Sequence, residues 1–132
     1  MHPRILVAED LPPMRALLCR IIGGELGPEA EVLTARDGTA ALALLAASRF
    51  HLVVTDLRMP GASGLQVLRE AKRESPSTEV LIVTGYADPV HLREAERLGA
   101  FCCIAKPFDP DLLAQRVREA LALAFQEPAP LH

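Results

Sequence analysis

The sequence predicts one doubly wound α/β domain, a (βα)5 unit with a parallel sheet and helices on both faces. Three observations carry this. Five short runs rich in β-branched residues alternate with five longer segments of helical spacing. The runs ILVA, LVVT and VLIVT are continuously apolar rather than alternating, as strands covered on both faces require. Asp88-Pro89 and Asp109-Pro110 each read as an N-cap followed by proline at the first helical position, where its missing N–H costs nothing.

In chain order, the strands are expected at Ile5–Ala8, Glu31–Thr34, Leu52–Thr55, Val80–Thr84 and Phe101–Ala105. Apolar stripes mark the helices between and after them. Leu17, Leu18, Ile21 and Ile22 mark the first, and Gly23-Gly24 stand near its end. Leu42 and Leu45 mark the second. Leu65, Leu68 and Ala71 mark the third, which starts near Ser63 after a Gly-rich turn. Val90, Ala95 and Leu98 mark a thinner fourth stripe, ended by Gly99. Leu113, Val117, Ala120, Leu121 and Ala124 mark the fifth at i, i+4, i+7, i+8, i+11. Strands alternating with helices imply right-handed crossovers. The domain is expected to span residues 1–125, with QEPAPLH (126–132) as a flexible tail or the start of a linker.

The bulk numbers exclude more than they assign. A chain of 132 residues, half of them apolar, is long enough for one core. A net charge of −3 argues against a nucleic-acid-binding surface. No apolar run approaches the roughly 20 residues of a membrane helix, and acids come too early for a signal peptide. Cys19, Cys102 and Cys103 fit neither a zinc site nor a thioredoxin-type motif, so they are expected as reduced thiols serving as small core residues of a cytoplasmic protein. His2, His51, His91 and His132 lie in separate segments and suggest no metal site.

Ligands of open α/β sheets bind beyond the carboxyl ends of the strands. Glu9-Asp10 follow the first strand, Asp56 the third, Thr84-Gly85 the fourth, and Lys106-Pro107 the fifth. Three carboxylates in one crevice repel each other, and one lysine does not offset them. A hard divalent cation does, and Mg²⁺ suits one or two carboxylates, a carbonyl and waters. The same set suits a phosphoryl group, with Thr84 as hydroxyl donor and Lys106 as point charge. A carboxylate so placed can accept phosphorus without a general base.

The stretch VVTDLRMPGASG (53–64) then has a reason: a buried strand ends on the acceptor, and a loop that cannot be helical follows. With "ED" after the first strand, "DLRMPGASGL" around Asp56, "VTG" after the fourth strand and "KPFDPDLL" into the last helix, the chain resembles the receiver domains of two-component response regulators over residues 4 to about 125. The resemblance implies a flavodoxin-like sheet of strand order 2-1-3-4-5. It implies Asp56 as phosphoacceptor, with Asp10, Asp56 and the Arg58 carbonyl as metal ligands and Glu9 reaching the metal through water. Thr84 becomes the switch hydroxyl and Lys106 the phosphate-contacting lysine, with a cis peptide before Pro107. The implied partners are a histidine kinase or histidine phosphotransfer protein and an unidentified output, with the fourth helix, fifth strand and fifth helix as the switching surface and as one homodimer face. The donor would dock beside Leu11, Pro13, Met14 and Leu17. The activity implied is that of a phosphoacceptor switch rather than an enzyme.

Other readings compete less well. A dinucleotide-binding domain needs G-x-G-x-x-G after the first strand, where this chain has AEDLPP. A haloacid-dehalogenase-type phosphatase places its D-x-D nucleophile after the first strand, whereas Asp56 follows the third. A degenerate receiver would have lost key residues, and all five are present. Glu9-Asp10 as a mere helix cap is disfavoured by the other groups gathered at the same edge. Three positions set this chain apart. The resemblance places Arg58 and Tyr86 beside the path of a hydrolytic water, and the aliphatic stem of Arg58 is expected against the Tyr86 ring. Cys103 stands where receivers commonly carry Tyr or Phe three residues before the lysine.

Overall fold

The structure is a computed structural model that describes residues 2–86 and 88–126. Its elements are β1 (Arg4–Ala8), α1 (Pro12–Leu26), β2 (Glu31–Ala35), α2 (Gly38–Ala47), β3 (Leu52–Thr55), α3 (Gly64–Glu74), β4 (Glu79–Thr84), α4 (Pro89–Arg97), β5 (Cys102–Ala105) and α5 (Pro110–Ala124). All strand pairs are parallel, in the order β2-β1-β3-β4-β5. The expected tail lies outside the described residues, apart from Gln126.

Alternation along each strand divides the core in two. Leu6, Ala8, Val53, Val80 and Ile82 face a cluster with Leu45, Val67, Leu68 and Ala95 of α2, α3 and α4. Ile5, Val7, Val54, Leu81 and Val83 face Leu18, Ile22, Leu113 and Val117 of α1 and α5. Every residue of β3 is buried, which is why its sequence reads as an unbroken apolar run.

The expected caps at Asp88 and Asp109 are present, each accepting from the amide two residues on. Ser63 begins α3 with a reciprocal capping box to Gln66. Gly23 and Gly24 lie near the end of α1, as expected, and Gly27 caps it with φ +82°, a conformation side chains disfavour. Three expectations are corrected. Val90 is 69 % exposed, so only Ala95 and Leu98 of the fourth stripe reach the core. Cys103 is exposed rather than a core thiol, while Cys19 and Cys102 do pack against the α1/α5 face. Phe101 precedes β5 instead of starting it.

At the opposite end of the sheet from the strand C-termini, His51 Nδ1 accepts from the Arg4 amide at 3.0 Å, and its ring stacks on Phe125 at 4.2 Å. Burial, reinforced by the Arg4 charge, holds the imidazole below its usual pKa. Below about pH 6.5 the unfolded chain therefore binds a proton that the folded chain refuses, and stability falls with acid until the lowered native pKa is passed. His51→Asn keeps an acceptor and removes the titration. Denaturant midpoints taken across this window are expected to fall more steeply in the native chain than in the variant; parallel curves would assign the acid sensitivity elsewhere.

Candidate functional site

The sheet itself delivers the polar residues to one edge. Just past β1, the Glu9 amide donates to the Ala35 carbonyl at 3.1 Å. Past β3, the Asp56 amide donates to the Ala8 carbonyl at 3.1 Å. Past β5, the Lys106 amide donates to the Thr84 carbonyl at 2.8 Å. Each site residue thus continues the ladder by one step, so its backbone is fixed before its side chain is considered. The Lys106–Pro107 peptide is cis, as expected.

Lys106 Nζ lies 2.5 Å from Glu9 Oε1 and 2.8 Å from Asp56 Oδ2. Glu9 is 1 % exposed, and its second oxygen accepts from the Leu11 amide at 3.1 Å. Burial raises the Glu9 pKa, against the opposing pull of the Lys106 and Leu11 hydrogen bonds. Burial would lower the Lys106 pKa, but its bonds to Asp56 and Glu9, and their charges, win and raise it. The ammonium is therefore kept charged at neutral pH. Ligand oxygens of Glu9, Asp10 and Asp56 lie within 4.8 Å of one another, the one such group of acids, histidines or cysteines among the described residues. Neither acid caps α1, whose N-cap is Leu11 without a side-chain bond.

Thr84 is 2 % exposed. Its hydroxyl accepts from the Tyr86 amide at 3.1 Å and lies 3.5 Å from the Tyr86 carbonyl, to which it can donate. Arg58 and Tyr86 meet as expected, with one correction: the guanidinium, not the aliphatic stem, covers the ring, at 3.5 Å from its centroid. The Arg58 amide donates to Asp56 Oδ1 at 3.3 Å. Cys103 lies on β5 opposite Ile82, whereas Thr84 pairs with Ala105. Burial pushes the neighbouring Cys102 thiol up to about 11, so it carries little thiolate at neutral pH.

One contact was not foreseen. Arg15 Nη1 donates to the Glu9 carbonyl at 2.9 Å, fixing α1 to the acidic corner. No motif marks an arginine for this role.

This gathering of three acids and a lysine at the C-terminal edge of a 2-1-3-4-5 sheet agrees with the sequence comparison. A profile of the response regulator receiver domain matches residues 5–118. The chain belongs to the response regulator receiver family. Sporulation initiation phosphotransferase F of Bacillus subtilis is 31 % identical over 123 residues, covering 93 % of this chain and 97 % of that protein. Regulatory protein AtoC of Escherichia coli is 35 % identical over 91 % of this chain, but the match spans only 25 % of AtoC. DNA-binding response regulator MtrA of Mycolicibacterium smegmatis is 34 % identical over 98 % of this chain and 55 % of its own length. Among solved structures, a CheY-like receiver domain protein from Methanospirillum hungatei superposes with a TM-score of 0.87, at 27 % identity, covering 94 % of this chain and 97 % of that one. The receiver is thus a two-component signalling switch, of a family that works with histidine kinases or phosphotransfer proteins and with output domains; receivers bind Mg²⁺ at an acidic pocket, and this chain has an acidic cluster of Glu9, Asp10 and Asp56. No helix among the described residues is long and apolar enough to cross a membrane.

Proposed function

We propose that Asp56 accepts a phosphoryl group from a histidine kinase or a phosphotransfer protein, in a reaction that requires Mg²⁺. The observation that carries this reading is the 2.8 Å pair between Lys106 Nζ and Asp56 Oδ2 beside two further acids. The donor set fits a hard divalent ion: Asp10, Asp56 and the Arg58 carbonyl would hold it directly, with Glu9 acting through water. Both Glu9 oxygens are engaged, by Lys106 and the Leu11 amide, which supports the indirect role. When bound, Mg²⁺ neutralises charge on the carboxylates and the transferring phosphoryl oxygens.

An Asp56 oxygen attacks phosphorus, forming an O–P bond. The P–N bond to the donor imidazole breaks, and the nitrogen leaves with the electron pair and takes up a proton. Lys106 then pairs with a phosphoryl oxygen. Thr84 exchanges its Tyr86 bonds for a phosphoryl oxygen, which alters the loop entering α4. The surface of α4, β5 and α5 would carry the change to an output. Leu11, 57 % exposed, and Pro13 on α1 present apolar surface to a donor. Incubation with acetyl phosphate and Mg²⁺ followed by intact mass tests the reading. A receiver gains one phosphoryl group; a phosphatase turns the donor over without an adduct, and a degenerate receiver does neither.

Cys103 leaves the strand without an aromatic ring to follow Thr84. Thr84→Ala is expected to impair the activated state and Cys103→Ser to leave it almost unchanged. Crystal or NMR comparison with and without a beryllofluoride adduct checks this; a Cys103 side chain exchanging inward and outward positions would contradict it.

The Arg58–Tyr86 stack predicts a long-lived adduct. Hydrolysis needs a water in line with phosphorus, and neither side chain serves as a general base near neutral pH. They obstruct the water without activating it. Decay of the adduct after donor removal is expected to be clearly faster in Arg58→Asn combined with Tyr86→Glu. Unchanged or slower decay would defeat steric shielding. Termination of the signal would then rest on a phosphatase or on back-transfer.

A further inference from the structure

We propose that Gly38, in the first turn of α2, is a positioning residue for the metal-binding loop, and that this support tunes the site for Mg²⁺ over larger cations. The inference rests on the acidic cluster being a metal site. Gly38 is buried, and its amide donates to the Pro60 carbonyl at 3.1 Å. A Cβ placed on it would lie 1.9 Å from the Ala62 carbonyl oxygen, 2.5 Å from its carbon and 2.7 Å from Ala62 Cα. All three are backbone atoms, so no side-chain rotation relieves the clash. The next residue repeats the contact in reverse. Gly61 has φ +85°, and a Cβ there would lie 2.0 Å from Thr39 Oγ1. Two successive residues of α2 therefore seat the loop between β3 and α3.

That loop is closed on itself. The Gly64 amide donates to the Leu57 carbonyl at 2.8 Å, and a Cβ on Gly64 would lie 2.1 Å from the Asp56 carbonyl oxygen. Its start is fixed by the Asp56–Ala8 ladder bond, and its end by the Ser63 capping box. Asp37 fixes the start of α2, its Oδ1 accepting from the Ala40 amide at 2.8 Å. A push at Ala62 is thus transmitted around a tight loop that includes Arg58, while Asp56 stays with the sheet. The separation of the Arg58 carbonyl from the Asp56 carboxylate is the quantity that changes. Mg²⁺ demands near-ideal geometry at about 2.0–2.1 Å, whereas Ca²⁺ accepts looser arrangements at about 2.3–2.6 Å. Displacement should therefore penalise Mg²⁺ more than Ca²⁺, which a general loss of stability would not do.

The test is titration of Mg²⁺ and of Ca²⁺ against thermal stability in the native chain, in Gly38→Ala, and in Gly24→Ala, a control where an added Cβ meets nothing within 4 Å. Gly38→Ala is expected to raise the Kd for Mg²⁺ by about tenfold or more, the usual effect of disturbing a ligand's support, with a smaller rise for Ca²⁺. Gly24→Ala should match the native chain. An unchanged ratio of the two affinities in Gly38→Ala would overturn the proposal. Should that variant not fold, the native chain decides by NMR: Mg²⁺ is expected to shift the Gly38 and Thr39 amide resonances and leave Gly24 unmoved, and unmoved Gly38 and Thr39 would overturn it. A native chain that binds neither cation would refute the metal site itself, and this inference with it.

Discussion

Asp56→Asn is expected to abolish phosphoryl-adduct formation while leaving the fold intact. The amide is nearly isosteric with the carboxylate, and the backbone at this position is held by the ladder bond to Ala8, which the substitution does not touch. What disappears is the anionic nucleophile, for which no neighbour substitutes: Glu9 is buried and bonded to Lys106, and Lys106 is itself a cation. The same change removes one of three mutually repelling carboxylates, so stability at low ionic strength is expected to rise. One opposing effect is the lost ion pair to Lys106, but that ammonium keeps its partner Glu9 at 2.5 Å. Intact mass after exposure to acetyl phosphate, together with urea unfolding at low salt, reads both effects. Labelling of the variant at a rate near that of the native chain would remove Asp56 from its role.

Asp10→Asn is expected to weaken Mg²⁺ binding by about tenfold or more, and Glu9→Gln by much less. The difference follows from what each carboxylate already does. Glu9 Oε1 is taken by Lys106 and Oε2 by the Leu11 amide, so its exchange for an amide alters the site at one remove. Asp10 is half-buried beside Asp56 and belongs to the same close group of oxygens. Mg²⁺-dependent stabilisation, followed as Tm against metal concentration, separates the two variants because a ligand of the folded state raises Tm by mass action. Equal losses would contradict the division into direct and water-mediated roles.

Most of the fold was legible because its signals are local. Unbroken apolar runs at Leu52–Thr55 and Val80–Thr84 announced strands buried on both faces, and Asp-Pro pairs announced the starts of α4 and α5. The site was legible for a related reason: in a parallel sheet every strand C-terminus meets the same edge, so strand boundaries alone bring Glu9, Asp56, Thr84 and Lys106 together. Misreadings occurred where tertiary contact decides. Val90 has the spacing of a core residue but sits on the first turn of α4 and stays exposed. Gly23-Gly24 do mark the last turn of α1, but pattern alone does not say that Gly27 is the glycine that caps it at positive φ. Neither the Arg15 bond to the Glu9 carbonyl nor the seating of Gly38 against Ala62 has a sequence signature: the first depends on how α1 leaves the sheet, the second on how α2 lies on a loop distant in sequence.

Asp56 itself is expected to carry the phosphoryl group. The most direct measurement treats the chain with acetyl phosphate and Mg²⁺, reduces the acyl phosphate with borohydride, and locates the reduced residue by peptide mass spectrometry. Asp56 is expected to be converted to homoserine when Mg²⁺ is present and not when the metal is chelated. Reduction at Asp10 or Glu9 instead, or labelling indifferent to Mg²⁺, would contradict it.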